Sequence, residues 1–328
     1  MKKDAGAWPV FAQSFAPKSE FSTDQIPNHS GRVVIVTGGN TGIGFETTKE
    51  MLKHNAKVYL AARSKEKAAA AIASLKDETG REPVFLQLDL ASLASVKAAA
   101  QEFLSKEPEL HILFCNAGVM WPPVDMLTAD GYDLQFGTNV LGHFYFTELL
   151  MPALIAGAKT SPDGRARIVT TSSSGAYLGA LNHGTFKDTP ERRKLSKEDL
   201  YYQSKLACLS LSARTANCVV ARQVAKRYGD QGIVSISVNP GNIQTDLQRN
   251  VPKVARAIMN AVLLKPVQYG ALTQLFAGTM PEALKYNGEF LIPWARLGKP
   301  HPDVLNDGIC ERLWDWLSGE VRAFEARQ

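Results

Sequence analysis

The 328-residue chain predicts a single α/β domain, built on a doubly wound parallel sheet with helices on both faces. Three observations carry that expectation. From Gly31 onward, short β-branched apolar runs alternate with longer helical patterns. The first of these runs, Arg32 to Thr37, enters a glycine-rich turn, Thr37-Gly38-Gly39-Asn40-Thr41-Gly42-Ile43-Gly44. No internal repeat or low-complexity linker breaks the alternation.

Residues 1–30 form an expected extended arm. Its Trp8-Pro9, Phe11, Phe15, Pro17, Phe21 and Pro27 follow neither period, and its aromatics are read as lying on the body. Residues 31–328 form the domain. Arg32–Thr37 reads as a strand buried on both faces, Phe45–His54 as a helix and Lys57–Ala62 as a second strand, which together make a βαβ unit. There follow a helix at Lys65–Thr79, a strand at Val84–Leu88, a helix at Leu93–Ser105 and a strand at Ile112–Cys115. Later strands are expected at Arg167–Thr171, Ile233–Val238 and Glu289–Ile292. Ile309, Leu313, Trp316, Leu317, Val321 and Phe324 recur at helical spacing, and the face they form is read as core packing or as an oligomer face.

Composition narrows the function class. A hydrophobic fraction of 45% and a charged fraction of 21% are those of an ordinary globular protein, neither disordered nor fibrous. The net charge of +5 is dispersed rather than gathered in a run, which argues against nucleic acid as a partner. Cys115, Cys208, Cys218 and Cys310 have neither Cys-x-x-Cys spacing nor a nearby histidine, so no metal site is expected. The most apolar stretch, Leu141 to Ala158, is interrupted by His143, Glu148 and Pro152 and is not read as a membrane span. With no signal-peptide pattern at the N-terminus, a reduced, cytoplasmic setting is expected.

The chemistry is written at two places. Gly38, Gly42 and Gly44 stand between a strand and a helix, where backbone must approach phosphate and a helix N-terminus supplies N–H donors; Asn40, Thr41 and Ile43 complete the turn. Arg63 ends the second strand, where an acidic residue would select NAD by binding its ribose hydroxyls. A guanidinium there suits the 2′-phosphate of NADP instead, so NADP (NADPH) rather than NAD is the expected cofactor. Asp89-Leu90 follows the third strand and either borders an adenine or caps the helix from Leu93. Much further on, Tyr201 and Lys205 sit four residues apart, which puts a phenol and an ammonium on one helical face.

These residues resemble the short-chain dehydrogenase/reductase superfamily, whose fold is a single-domain Rossmann fold. The resemblance runs from about Gly31 to Thr245. It rests on the glycine turn, Cys115-Asn116-Ala117-Gly118, Asn139, Ile168-Val169-Thr170-Thr171-Ser172-Ser173, Tyr201 with Lys205, and Asn239-Pro240-Gly241. Gln203-Ser204-Lys205-Leu206-Ala207 and Arg63 look most like the retinol-dehydrogenase-like branch and its fungal relatives. The resemblance implies an oxidoreductase that interconverts a carbonyl and an alcohol. Tyr201 would be its general acid/base, Lys205 the activator, Ser173 the carbonyl-orienting hydroxyl and Asn139 part of a water relay. Asn116, Ala117 and Gly118 would wall the adenosine site, Pro240 and Gly241 would shape the nicotinamide side, and Thr245 would bond its carboxamide. A phenol with an ordinary pKa near 10 needs such a neighbouring positive charge to act as a base near neutrality.

Two features depart from the pattern or extend it. Leu206 to Ala216 is a surplus of about two to three helical turns. It reads as a tolerated bulge, a lineage feature or an artefact of gene prediction, and a catalytically weak dinucleotide-binding or sensor protein is the alternative it raises. The substrate-covering segments, about 176–200 and 245–265, are both long. The first includes Glu191-Arg192-Arg193-Lys194, read as a solvated loop, and the second carries Val254, Ile258, Val262 and Leu263 at amphipathic spacing. An apolar carbonyl or alcohol is the expected small-molecule substrate, with secondary-metabolite tailoring one setting for it.

Overall fold

In a computed structural model of the chain, residues 13, 15–174, 182–205, 216–244, 264–299 and 302–328 are described. β1 (Val33–Thr37), β2 (Lys57–Ala62), β3 (Val84–Gln87), β4 (Ile112–Cys115), β5 (Ala166–Thr171), β6 (Ile233–Val238), β7 (Phe290–Ile292) and β8 (Arg296–Leu297) form one sheet in the order 3-2-1-4-5-6-7-8. All neighbours are parallel except β7 and β8. The strand order reverses between β1 and β4, where Val36 pairs with both Leu60 and Phe114. In such sheets a crevice opens at the carboxyl ends of these two strands.

Alternation along each strand feeds two cores. Ile35, Tyr59, Leu113 and Ile168 pack on one face, together with α3 (Leu93–Leu104), α4 (Gly142–Thr160), α6 (Ala216–Tyr228) and α8 (Asp307–Glu325). Val36, Leu60, Phe114 and Ile236 pack on the other, against α1 (Gly42–Lys53), α2 (Lys65–Thr79) and α7 (Val267–Thr279). The remaining helix, α5 (Lys197–Lys205), lies at the crevice. Covering both faces is what makes β1, β4, β5 and β6 continuously buried.

The sequence-based boundaries need four corrections. α1 begins at Gly42 rather than Phe45, because the glycines themselves make its first turn. β8, two residues long, carries too little pattern to be read. The cap of α3 is Ser92, whose side chain accepts from the Ser95 N–H, whereas the Asp89 carboxylate accepts from the Ala91 N–H. Finally, Leu134–Thr160 is long and apolar enough to meet a membrane-span criterion, but 72% of its most apolar window is buried in this fold. Pro152 lies inside it, and a π-helical turn, Gly137–Leu141, precedes α4.

Phe21 packs edge-on against Phe276 at 5.5 Å and Ile26 is buried, while Phe15 is exposed. Gln13 lies at the opposite end of the strands from His29, its Oε1 accepting from Asn239 Nδ2 at 2.7 Å just past β6.

Candidate active site

A groove opens at the β1/β4 reversal. Gly38, Asn40, Thr41, Gly42 and Ile43 line one side; Arg63, Asp89 and Leu90 line its far end, and Asn116, Ala117 and Gly118 line the opposite wall. Gly44 lies behind this lining. A Cβ on it would stand 2.3 Å from the Gly38 carbonyl oxygen, so the turn closes only around glycine. α1 starts without a side-chain cap, which leaves its first N–H groups for a ligand. Arg63 is exposed at the end of β2. These features fit a dinucleotide whose phosphates lie over the helix start.

Thr37 ties the two strands together beneath the groove. Its hydroxyl accepts from the N–H groups of Asn116 (2.9 Å) and Ala117 (3.0 Å), and Asn116 Nδ2 donates to the Thr37 carbonyl at 2.9 Å. His143 Nδ1 faces the Asn139 carbonyl at 3.2 Å and must carry the proton, so its Nε2 accepts from the Thr37 hydroxyl at 2.9 Å. His143 is thus a buried residue that braces the Thr37 bridge from beneath.

α5 brings in the phenol and the ammonium. It starts at Ser196, whose side chain accepts from the Asp199 N–H at 3.0 Å, and it buries Tyr201, Ser204 and Lys205 on one face. The Tyr201 hydroxyl is hydrogen-bonded to Ser173. Ser172, by contrast, is spent on structure, donating to the Lys205 carbonyl at 2.7 Å. Lys205 Nζ donates to the Thr171 carbonyl at 2.7 Å and lies 3.7 Å from where a Cβ on Gly118 would be, which places the ammonium at the groove wall.

The Asn139 side chain is fully engaged. Its Oδ1 accepts from the Val119 N–H at 2.8 Å, and its Nδ2 donates to the Val119 carbonyl at 3.0 Å and to Ser204 Oγ at 2.9 Å. It therefore locks the strand exit to α5, and its backbone carbonyl is met by His143 Nδ1. Pro240 and Gly241 follow β6 at the same edge of the sheet, and the Gly241 N–H donates to Asn239 Oδ1 at 2.9 Å. Thr245 lies outside the described residues, as do Val254, Ile258, Val262 and Leu263. The two ends of that span are clipped together by a bridge between Ile243 and Lys265.

Comparison with known proteins gives the family. The short chain dehydrogenase family model matches residues 32–184. A short-chain dehydrogenase/reductase of Armillaria gallica is 56% identical over 318 residues, covering 97% of this chain and 99% of that protein. The chain is a short-chain dehydrogenase/reductase. A crystal structure of an uncharacterized Mycobacterium paratuberculosis protein shares its fold with a TM-score of 0.70 at 25% identity, covering 92% of this chain and 97% of the other. A short chain dehydrogenase from Shigella flexneri, complexed with NADP, aligns with a TM-score of 0.60 at 22% identity over 81% of this chain and 98% of its own. Membership makes the protein an NAD(P)-dependent oxidoreductase acting on CH–OH groups, with a Rossmann fold that binds a nicotinamide dinucleotide.

Burial sets the electrostatics of this dehydrogenase/reductase site. Loss of solvation pushes the Tyr201 phenol up to about 12, opposed by the Ser173 hydrogen bond and reinforced by Tyr202. The same loss pulls Lys205 down to about 8. Around that ammonium, burial raises the Cys115 thiol to about 12, raises Cys218, and, with the charge of Lys205, lowers His143 to about 3. No carboxylate is paired with Lys205 among the described residues.

Sequence reasoning missed three contributors. Arg192, read as part of a solvated run, is 1% exposed: it bonds the Asp133 carboxylate and the Val124 and Met126 carbonyls. Glu191, Arg193 and Lys194 of that run are solvated as expected, while the backbone turn at Arg192–Lys194 points the Arg192 side chain inward. Gln13 reaches the Asn239 loop from an arm without periodicity. Asn217 lies beyond the surplus segment, where spacing from Lys205 carried no signal.

Proposed function

We propose that the protein is an NADP-dependent carbonyl/alcohol oxidoreductase in which Tyr201 is the general acid/base. The observation that carries this reading is the buried Tyr201 hydroxyl, bonded to Ser173 on a helix whose Lys205 ammonium stands at the Gly118 wall of the dinucleotide groove. Bound in that groove, the coenzyme supplies or accepts hydride at the substrate carbon. In the reducing direction Tyr201 donates its proton to the substrate oxygen, and Ser173 holds that oxygen by a hydrogen bond. Lys205 stabilises the phenolate left behind, an effect strengthened by the low polarity of a buried site. In oxidation the phenolate removes the alcohol proton by the same path.

Arg63 supports NADP over NAD: an exposed guanidinium ends β2 where a carboxylate would repel the 2′-phosphate.

The test is NADPH oxidation against a panel of ketones and aldehydes, with Tyr201→Phe alongside. The variant should bind NADPH as the native protein does and lose about 10²- to 10⁴-fold in kcat. Coenzyme binding with no turnover on any substrate would favour the sensor alternative. Arg63→Ala should weaken NADPH binding about tenfold or more while leaving NADH binding unchanged; equal losses for both would remove the NADP assignment.

A further inference from the structure

Asn217 stands between Lys205 and the Asn139 backbone carbonyl, and it is 3% exposed. Its amide has two orientations. In one, Nδ2 donates to the Thr171 carbonyl at 3.3 Å, but the amide oxygen then faces the Asn139 oxygen and the NH₂ faces the lysine ammonium. In the other, Nδ2 donates to the Asn139 carbonyl at 3.0 Å and Oδ1 accepts from Lys205 Nζ at 3.3 Å. A protonated lysine selects the second, since it pairs each donor with an acceptor.

We propose that Asn217 is a positioning residue for Lys205, its amide joining the ammonium directly to the Asn139 carbonyl where the family pattern implies water. The assignment rests on the Tyr201/Lys205 reading above. Asn217 replaces a mobile link by one built into the protein, and it supplies Lys205 with a second fixed oxygen besides that of Thr171.

The surroundings make that second oxygen count. Cys115 on β4, His143 on α4, Cys218 on α6 and Tyr201 on α5 are the titratable groups facing or neighbouring the ammonium, and all four are neutral at pH 7. Fixed dipoles therefore hold the charge. A buried cation stabilised by few hydrogen bonds is sensitive to the loss of one.

The fold delivers Asn217 to this place in spite of the surplus. α5 ends at Lys205 and α6 begins at Ala216, with Ala216, Asn217 and Cys218 all buried, and Cys218 Sγ donates to Ser172 Oγ at 3.6 Å. Were residues 207–215 absent, Lys205-Leu206-Ala216-Asn217 would be contiguous. Helix geometry would then set Asn217 at i+3 from Lys205 and i+7 from Tyr201, on the face those two already share.

The decisive experiment is a pH titration of Lys205 in the intact protein, followed by ¹³Cε-lysine NMR with a Lys205→Arg control for assignment, in Asn217→Leu and Asn217→Asp variants. Leucine removes the acceptor oxygen and should lower the Lys205 midpoint by about one pH unit; aspartate adds a counter-charge and should raise it by about one or more. The alkaline limb of kcat/KM should move with the midpoint in the same two directions. A merely structural role would lower thermal stability in both variants without opposite shifts. Native midpoints in both folded variants would overturn the proposal. Aspartate is isosteric with asparagine, so that arm decides by itself if the leucine variant does not fold. Because the NMR readout needs no turnover, opposite midpoint shifts in a protein that reduces no carbonyl would defeat the catalytic reading and leave the positioning role intact.

Discussion

Burial gives two ordinary groups unusual working states: a phenol pushed to about 12 and an ammonium pulled to about 8. Lys205 is charged below its midpoint and loses its proton as pH rises through about 8, so kcat/KM is expected to fall on the alkaline side with a midpoint near that value. His29 works in the opposite range. Burial lowers it from 6.5 to about 4, against the opposing pull of the Pro27 carbonyl, so in that window the unfolded chain binds a proton that the folded chain does not. Stability is complete above pH 6.5 and is lost as pH falls toward 4. About 2 kcal/mol should disappear by pH 5, and a urea titration of His29→Asn should show a smaller pH 7-to-5 difference than the native chain. Motif residues were legible because the chemistry fixes both their type and their spacing, as with Tyr201 and Lys205 or the glycine turn. Arg192 was not, since an arginine in a charged run gives no sign that its guanidinium is enclosed. Asn217 was hidden for another reason: the surplus before it destroyed the spacing that would have placed it on the α5 face.

Strands were legible almost to the residue, because burial on both faces leaves unbroken apolar runs, as in Lys57–Ala62 and Ile233–Val238. The substrate-side segment was not, since side chain-to-backbone bonds rather than periodicity hold it. The Arg192–Asp133 pair is its fastening. Asp133 also accepts from the Gln135 and Phe136 N–H groups at the turn leading into Asn139, so the ion pair ties the 182–194 segment to the one that carries Asn139. Arg192→Met leaves a buried carboxylate without its partner and should cost about 3–5 kcal/mol in chemical unfolding, with KM for substrate raised. Where α5 meets α6, removal of residues 207–215 should give a folded, coenzyme-binding protein whose Tm is no lower than that of the native chain. Differential scanning fluorimetry checks this, and a Tm several degrees lower would show that the surplus contributes to packing.

Two cores on either side of one sheet make the molecule a single cooperative body, and segments from both halves of the chain pack onto it. In the arm, Gln13 accepts from Asn239. At the other end, α8 is held by Glu325, which bonds Tyr145 and Lys97, and it buries Leu313 and Leu317. Deleting residues 307–328 should expose that face and give an aggregating chain, measurable by size-exclusion chromatography. The helix was legible from its spacing, and its role as core packing follows from the apolar layer it covers. What spacing did not reveal is the partner of Trp316, which packs edge-on against Phe186 at 4.9 Å and Phe136 at 5.7 Å. That indole thus covers the aromatic pair that Phe136 forms with Phe186 of the 182–194 segment. The far C-terminal helix therefore fastens a loop that lies far earlier in the chain: shaving that one ring would leave a void beside two enclosed phenyl groups and loosen the 182–194 stretch from outside it.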